Sequence, residues 1–141
     1  MNAMTRKLAI LATVLAAGCA ATNKEPPPKP FVGTYWQVVL ELPPPGEQPW
    51  VRFGDGRMEG FGGCNRIAAL YVQDSVGSKA IAIRRIESGR RAACDPSAQS
   101  AEDHVLSILQ MVSSYSITVD VLSMTGSAGT LRFHAVEAPK K

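Results

Sequence analysis

The sequence predicts an α+β domain: a curved antiparallel sheet with one main helix packed against it. Three observations carry that expectation. Short segments rich in β-branched and aromatic residues are separated by turns containing glycine or serine. One long stretch, beginning at Pro96, has helical periodicity. The strands follow one another too closely for repeated βαβ crossovers, which argues against a doubly wound parallel sheet.

Each element has a local reason. Thr34–Leu42 is aromatic and β-branched and reads as the first strand, and the prolines of Pro43–Pro49 make a loop. Trp50–Phe53 and Arg57–Phe61 flank Gly54-Asp55-Gly56, a hairpin signal because such turns need positive φ. Arg66–Gln73 is a strand, Asp74–Ser78 a turn, and Lys79–Ile86 an alternating strand with Ile81 and Ile83 facing the core. Asp95 caps a helix that has Pro96 at its first position. Ala98, Ala101, Val105, Ile108, Leu109 and Val112 extend the apolar face to about Ser113, with Glu102 and Asp103 toward the N-terminal half. Tyr115–Val121 alternates as a strand, and Leu122–Thr125 continues it or starts another. Gly126–Gly129 turns the chain into a last strand, Thr130–Val136.

The N-terminus speaks to compartment. Arg6 and Lys7 precede an apolar run from Leu8 to Ala17, which is shorter than the roughly 20 residues a bilayer span requires. It fits the h-region of a secretory signal. Ala16-Ala17-Gly18-Cys19 resembles a bacterial lipobox, in which cleavage leaves a cysteine that carries acyl chains, palmitate among them. The expected organisation is a lipoprotein signal peptide at 1–18, a lipid-anchored Pro-rich tether at 19–30, a domain at 31–137 and a tail at 138–141. Ala20 after Cys19, where aspartate would mark inner-membrane retention, favours the outer membrane with the domain facing the periplasm. Multiple acyl chains anchor firmly, each buried CH₂ contributing about 0.8 kcal/mol.

The 141-residue chain has 15 basic and 12 acidic residues; without Arg6 and Lys7, 13 basic residues face 12 acidic ones, a net charge of +1. So neutral a domain offers no electrostatic case for nucleic acid. Its cysteines number three. With Cys19 assigned to lipid, Cys64 and Cys94 are left in an oxidising compartment, where a pair of this kind forms a disulfide.

Several pieces then fall in order: Gly33-Thr34-Tyr35-Trp36, Gly60-Phe61-Gly62-Gly63-Cys64-Asn65-Arg66, Ala93-Cys94 before Glu102-Asp103-His104-Val105-Leu106-Ser107-Ile108-Leu109, and Thr130-Leu131-Arg132-Phe133. This arrangement resembles the META domain family, that of the HslJ-like heat-shock lipoproteins. The segment before the second cysteine, Arg90-Arg91-Ala92-Ala93, departs from the family's usual threonine and methionine. The resemblance implies a strongly curved antiparallel sheet, a partial barrel, with no enzymatic activity and an envelope or stress role.

Cys64 lies in Glu59–Arg66, EGFGGCNR, and could be a nucleophile, a metal ligand, half of a disulfide or a buried small side chain in a glycine-rich turn. A nucleophile needs a base, and nothing in the spacing brings His104 or His134 to it. Metal-ligand spacings are missing, as is a glycine loop leading from strand into helix, so no catalytic residue, metal site or cofactor is expected. Gly60, Gly62 and Gly63 let the strand bend, Cys64 reaches Cys94 ahead of the helix, and Asn65 bonds local backbone. Arg84, Arg85, Arg90 and Arg91 could contact an anion, against the plainer reading of a solvated hairpin. Trp36, Trp50, Phe53 and Phe61 could line a groove for an acyl chain but read better as core, as do Met111 and Met124. The expected function is a non-enzymatic envelope lipoprotein that binds an unknown envelope protein or lipid in maintenance or stress response. The alternative is a lipid- or peptide-binding assembly factor resembling a secretin pilot, which an open apolar groove between helix and sheet would favour. A hydrolase uniting His104 or His134 with Asp or Ser ranks last.

Overall fold

The computed structural model describes residues 24–75, 77–89 and 93–140. The expected signal, Cys19, Arg90 and Arg91 lie outside the described residues. The elements are β1 (Tyr35–Val38), β2 (Trp50–Gly54), β3 (Arg57–Phe61), β4 (Arg66–Gln73), β5 (Ile81–Ser88), α1 (Pro96–Leu109), β6 (Val112–Thr118), β7 (Val121–Gly126) and β8 (Gly129–Val136). All strands join one eight-stranded sheet of order β5-β4-β3-β2-β1-β8-β7-β6, with antiparallel neighbours. The sheet curls into a half-barrel. Its edges β5 and β6 come together beside an Ala80–Ser114 bridge, where the Tyr115 amide donates to the Lys79 carbonyl at 2.9 Å. Among the described residues, eight strands against one 14-residue helix make the domain sheet-dominated rather than a balanced α+β fold.

The inner face carries a core that includes Trp36, Val51, Phe53, Met58, Leu122, Met124 and Phe133. Helix α1 packs on β7 and β8 and adds Val105, Ile108 and Leu109 to the same cluster. Each such side chain contributes about 1.5–3 kcal/mol on full burial. Trp36, Phe53 and Met124 are therefore core, as expected, whereas Met111 is 49 % exposed at the junction of α1 and β6.

The hairpin between β2 and β3 forms where Gly54 pairs with Arg57, leaving Asp55 and Gly56 at φ of 52° and 75°. Positive φ at both central residues matches the right-handed strand twist. At the start of α1, the Asp95 carboxylate accepts from the Ser97 amide at 2.8 Å and from the Ser97 hydroxyl. These bonds hold the Asp95 carboxyl below its usual range. The helix stops at Leu109, short of the expected Ser113, because tertiary pairing overrides its periodicity. Met111 and Val112 lie directly on Gly126, where a Cβ would fall 1.9 Å from the Met111 carbonyl oxygen, and Val112 is drawn into the sheet opposite it. Strand β1 likewise ends at Val38, before Leu42. Val39 still donates to Arg132 of β8, but beyond it come the prolines, which have no amide to give.

The N-terminal segment is strapped to one end of the half-barrel. The Lys29 amide donates to the Val119 carbonyl at 2.6 Å, and the Thr34 hydroxyl to the Pro30 carbonyl at 2.6 Å. Phe31 stacks on Phe53 and on Tyr115, each at 4.3 Å between centroids, and meets Tyr71 edge-on at 5.8 Å.

The β6–β7 turn falls at Val119-Asp120, earlier than the sequence suggested, with Val119 at φ 54°. A β-branched residue in that region is strained by roughly 1–2 kcal/mol, and nothing in the structure explains the valine. Asparagine tolerates the conformation. Val119→Asn is expected to raise stability by about 1 kcal/mol, read as an increase of about 4 °C in the thermal midpoint.

Candidate functional site

The site grows out of the turn that joins β3 to β4. After Phe61 the chain reverses, with the Gly62 amide donating to the Asn65 carbonyl at 2.9 Å. The two glycines of this turn face helix α1. A Cβ on Gly62 would lie 2.7 Å from both Cγ and Oε2 of Glu102; one on Gly63, at φ 124°, would lie 2.9 Å from the Ala98 carbonyl oxygen. Backbone can approach the helix this closely only without side chains.

What fills the space is the Glu102 carboxylate, on a residue 2 % exposed. Its Oε2 accepts from the Cys64 amide at 3.1 Å and the Asn65 amide at 2.6 Å. Its Oε1 accepts from Asn65 Nδ2 at 2.8 Å and the Ser88 hydroxyl at 2.9 Å. Burial pushes the Glu102 carboxyl up, but the Asn65 side chain and amide, Ser88 and the Cys64 amide together outweigh it and hold the group below its usual range. The carboxylate is thus ionised and solvated by fixed dipoles. Among the described residues the ion pairs are Arg52–Glu59 and Arg66–Glu47, and neither involves Glu102.

The same turn is tied to the helix a second time. Cys64 and Cys94 form a disulfide with Cα atoms 5.7 Å apart, and Cys94 immediately precedes the cap Asp95. Asn65 differs from expectation: its side chain serves Glu102 and the Cys64 sulfur, at 2.8 and 3.2 Å, rather than local backbone. Because Glu102 requires the NH₂ side of that amide, Oδ1 is turned away and has no partner among the described residues. A groove of about 560 Å³ opens beside it, walled by Phe61, Cys64, Asn65, Cys94 and Asp95.

The other candidates are dispersed. His104 and His134 are both exposed, one on α1 and one on β8. Among the described residues no three His, Cys, Asp or Glu side chains gather as a metal site would require. Arg84 and Arg85 are exposed on β5. Trp50 and Phe61 sit on the outer face beneath Arg66, whose guanidinium lies 5.5 and 5.7 Å from their ring centroids. Glu47 secures that stack, accepting from Trp50 Nε1 at 2.8 Å and pairing with Arg66 at 3.8 Å. Sequence reasoning missed the role of Glu102. The signal was present: an acid at i+4 from Ala98 and i−3 from Val105, inside the apolar stripe.

Residues 29–138 match the META domain. The chain belongs to the META domain family. No curated protein sequence matches it. Among solved structures, an NMR structure of a protein from Burkholderia xenovorans shares the fold at 18 % identity and a TM-score of 0.61, over 77 % of this chain and 85 % of that one. A second protein, also solved by NMR, aligns at 13 % identity and a TM-score of 0.57, over 72 % and 88 %. In this META domain the Gly-Gly-Cys-Asn segment is a clamp. Two backbone amides, one side-chain amide and one disulfide hold the sheet to the helix around a single buried charge.

Proposed function

We propose that this META-domain chain is a non-enzymatic lipoprotein of the bacterial envelope. Cys19 anchors it at the outer membrane, the domain faces the periplasm, and it serves envelope maintenance or stress response by binding a partner. One observation carries the non-enzymatic part. The polar groups gathered at the Gly62–Asn65 turn are spent on Glu102, and Cys64 is spent on its disulfide. That leaves no thiolate there, and the Glu102 carboxylate is already occupied by four donors. The disulfide suits an oxidising compartment. The apolar space between helix and sheet, where an assembly factor would hold an acyl chain, is taken by Val105, Ile108 and Leu109 against Leu122 and Phe133. That favours a surface that binds over a cavity that stores lipid.

Growth with labelled palmitate tests the anchor. The wild-type chain is expected to take up label and to fractionate with the outer membrane, and the Cys19→Ala chain to do neither. A wild-type chain that stays unlabelled and soluble in the cytosol would refute the reading. Crosslinking in intact cells, followed by mass spectrometry of what is captured, then identifies the partner.

A further inference from the structure

The outer face of β3, β4 and β5 carries a feature that the clamp does not use. Cross-strand register places Arg57, Leu70 and Arg84 in one row across the three strands. A cleft of about 170 Å³ lies beside that row, walled by Arg57, Ala68, Leu70, Arg85 and Glu87. Next to it Leu70 and Val72 are 38 % and 50 % exposed. Arg57, Arg84 and Arg85 take part in neither of the ion pairs found among the described residues.

Arg85 is held there by strain. The ladder slips between Ala68 and Leu70, so that Arg85 and Ile86 stand opposite one residue, and Arg85 takes φ 53°. A bulge of this kind re-aims a side chain, and here Arg84 and Arg85, adjacent in sequence, are both exposed. Positive φ outside glycine persists where surrounding structure imposes it and concentrates at functional positions. The plainer reading is edge protection, since β5 is a sheet edge and charges with bulges guard edges. Guarding an edge does not account for the rest. Arg57 lies two strands inward, and the exposed Leu70 and Val72 beside it would weaken a purely repulsive edge.

We infer that this face is a docking surface for anionic phospholipid: Arg57, Arg84 and Arg85 meet headgroup phosphates while Leu70 and Val72 rest at the interface. The inference rests on the envelope reading and deepens it by making the membrane itself the partner of this face. Arginine forks suit phosphate oxygens, and apolar side chains between basic ones suit an interface where the two environments meet. The tether places the face within reach. Phe31 packs on Tyr71 on the inner side of β4, next in sequence to Leu70 and Val72, which face outward. From Lys29, where the domain holds the chain, ten residues lead back to Cys19, a reach of at most roughly 35 Å by chain length alone.

The test uses the chain from residue 19 onward, which contains the described fold whole, with Cys19→Ala so that no acyl group contributes. Its sedimentation with phosphatidylcholine vesicles containing phosphatidylglycerol is compared with that on phosphatidylcholine alone. Binding is expected on the anionic vesicles only and weakens as salt rises. Each arginine near the surface is expected to be worth about fivefold, so Arg57→Gln, Arg84→Gln and Arg85→Gln together cost on the order of a hundredfold. Arg132→Gln, exposed on β8 and away from this row, is expected to change little. A thermal melt of each variant establishes that it is folded. Equal binding to neutral vesicles, or a folded triple variant that binds as wild type, overturns the inference. So does full release from vesicles by millimolar inorganic phosphate, which would mark a small-anion site. Failure of palmitate labelling would strike the anchor and leave this measurement standing.

Discussion

Glu102→Ala is expected to cost the fold about 3–5 kcal/mol, the scale of several buried donors each left without an acceptor at about 1–3 kcal/mol. The loss comes from the groups left behind. The amides of Cys64 and Asn65, together with Asn65 Nδ2, give up an acceptor in a place closed to water. The Ser88 hydroxyl suffers less, because it is only part-buried and also reaches the Gly89 carbonyl. Against a typical net stability of roughly 5–15 kcal/mol the variant is marginal. Glu102→Gln keeps the shape and loses less, about 2 kcal/mol, because its NH₂ must face donors whichever way the amide turns. The same carboxylate sets a pH dependence. Its folded pKa lies below the ordinary value, so its contribution is fully present above the unfolded pKa and is lost as pH falls through the folded one. Urea midpoints are expected to hold between pH 8 and pH 6 and to fall below about pH 5. Asp95 acts in the same direction through Ser97. The Glu102→Gln chain should lose much of that acid sensitivity; a slope equal to wild type would place its origin elsewhere.

The contrast between Glu102 and its surroundings shows what was legible. Local chemistry could be read wherever one or two neighbouring residues decide the outcome. Gly54-Asp55-Gly56 announces positive φ, and the structure turns at Asp55 and Gly56. Asp95-Pro96 announces a capped helix, and the cap forms at that residue. Arg66–Gln73 alternates and is a strand over the same residues. Expectation failed where distant residues decide. The helix ends four residues early because Gly126 receives the chain at Met111, a pairing no local periodicity contains. Val119 turns the chain although a valine argues against it. The glycines of EGFGGCNR were legible as a bend, but not what the bend is for. Their requirement comes from a carboxylate 37 residues away from Asn65. An acid near a helix N-terminus is ordinarily accounted for by the helix dipole. Only its place within the apolar stripe, between Ala101 and Val105, marks it as buried.

Loss of the Cys64–Cys94 bond is the second large effect, expected at about 3–4 kcal/mol for a closure of 30 residues. In the chain-entropy account the bond acts on the unfolded ensemble, so the paired Cys64→Ala, Cys94→Ala chain should keep its sheet. Amide spectra are expected to shift around Gly62–Arg66 and at the start of α1, and to hold across β6, β7 and β8. The interest lies in coupling. The disulfide and Glu102 restrain the same two residues, because Cys64 carries one half of the bond and gives its amide to the carboxylate, with Asn65 beside it. Without the disulfide the turn has more freedom to lose, so the bonds to Glu102 are made against a larger ordering cost. Glu102→Ala should therefore cost less in the disulfide-free chain than in the oxidised one. A double-mutant cycle on urea midpoints is expected to return a coupling of about 0.5–3 kcal/mol, the range for residues that share a network. Additivity within about 0.3 kcal/mol would mean that glycine backbone alone sets the turn, with the sulfur bond and the carboxylate as independent restraints on a shape already made.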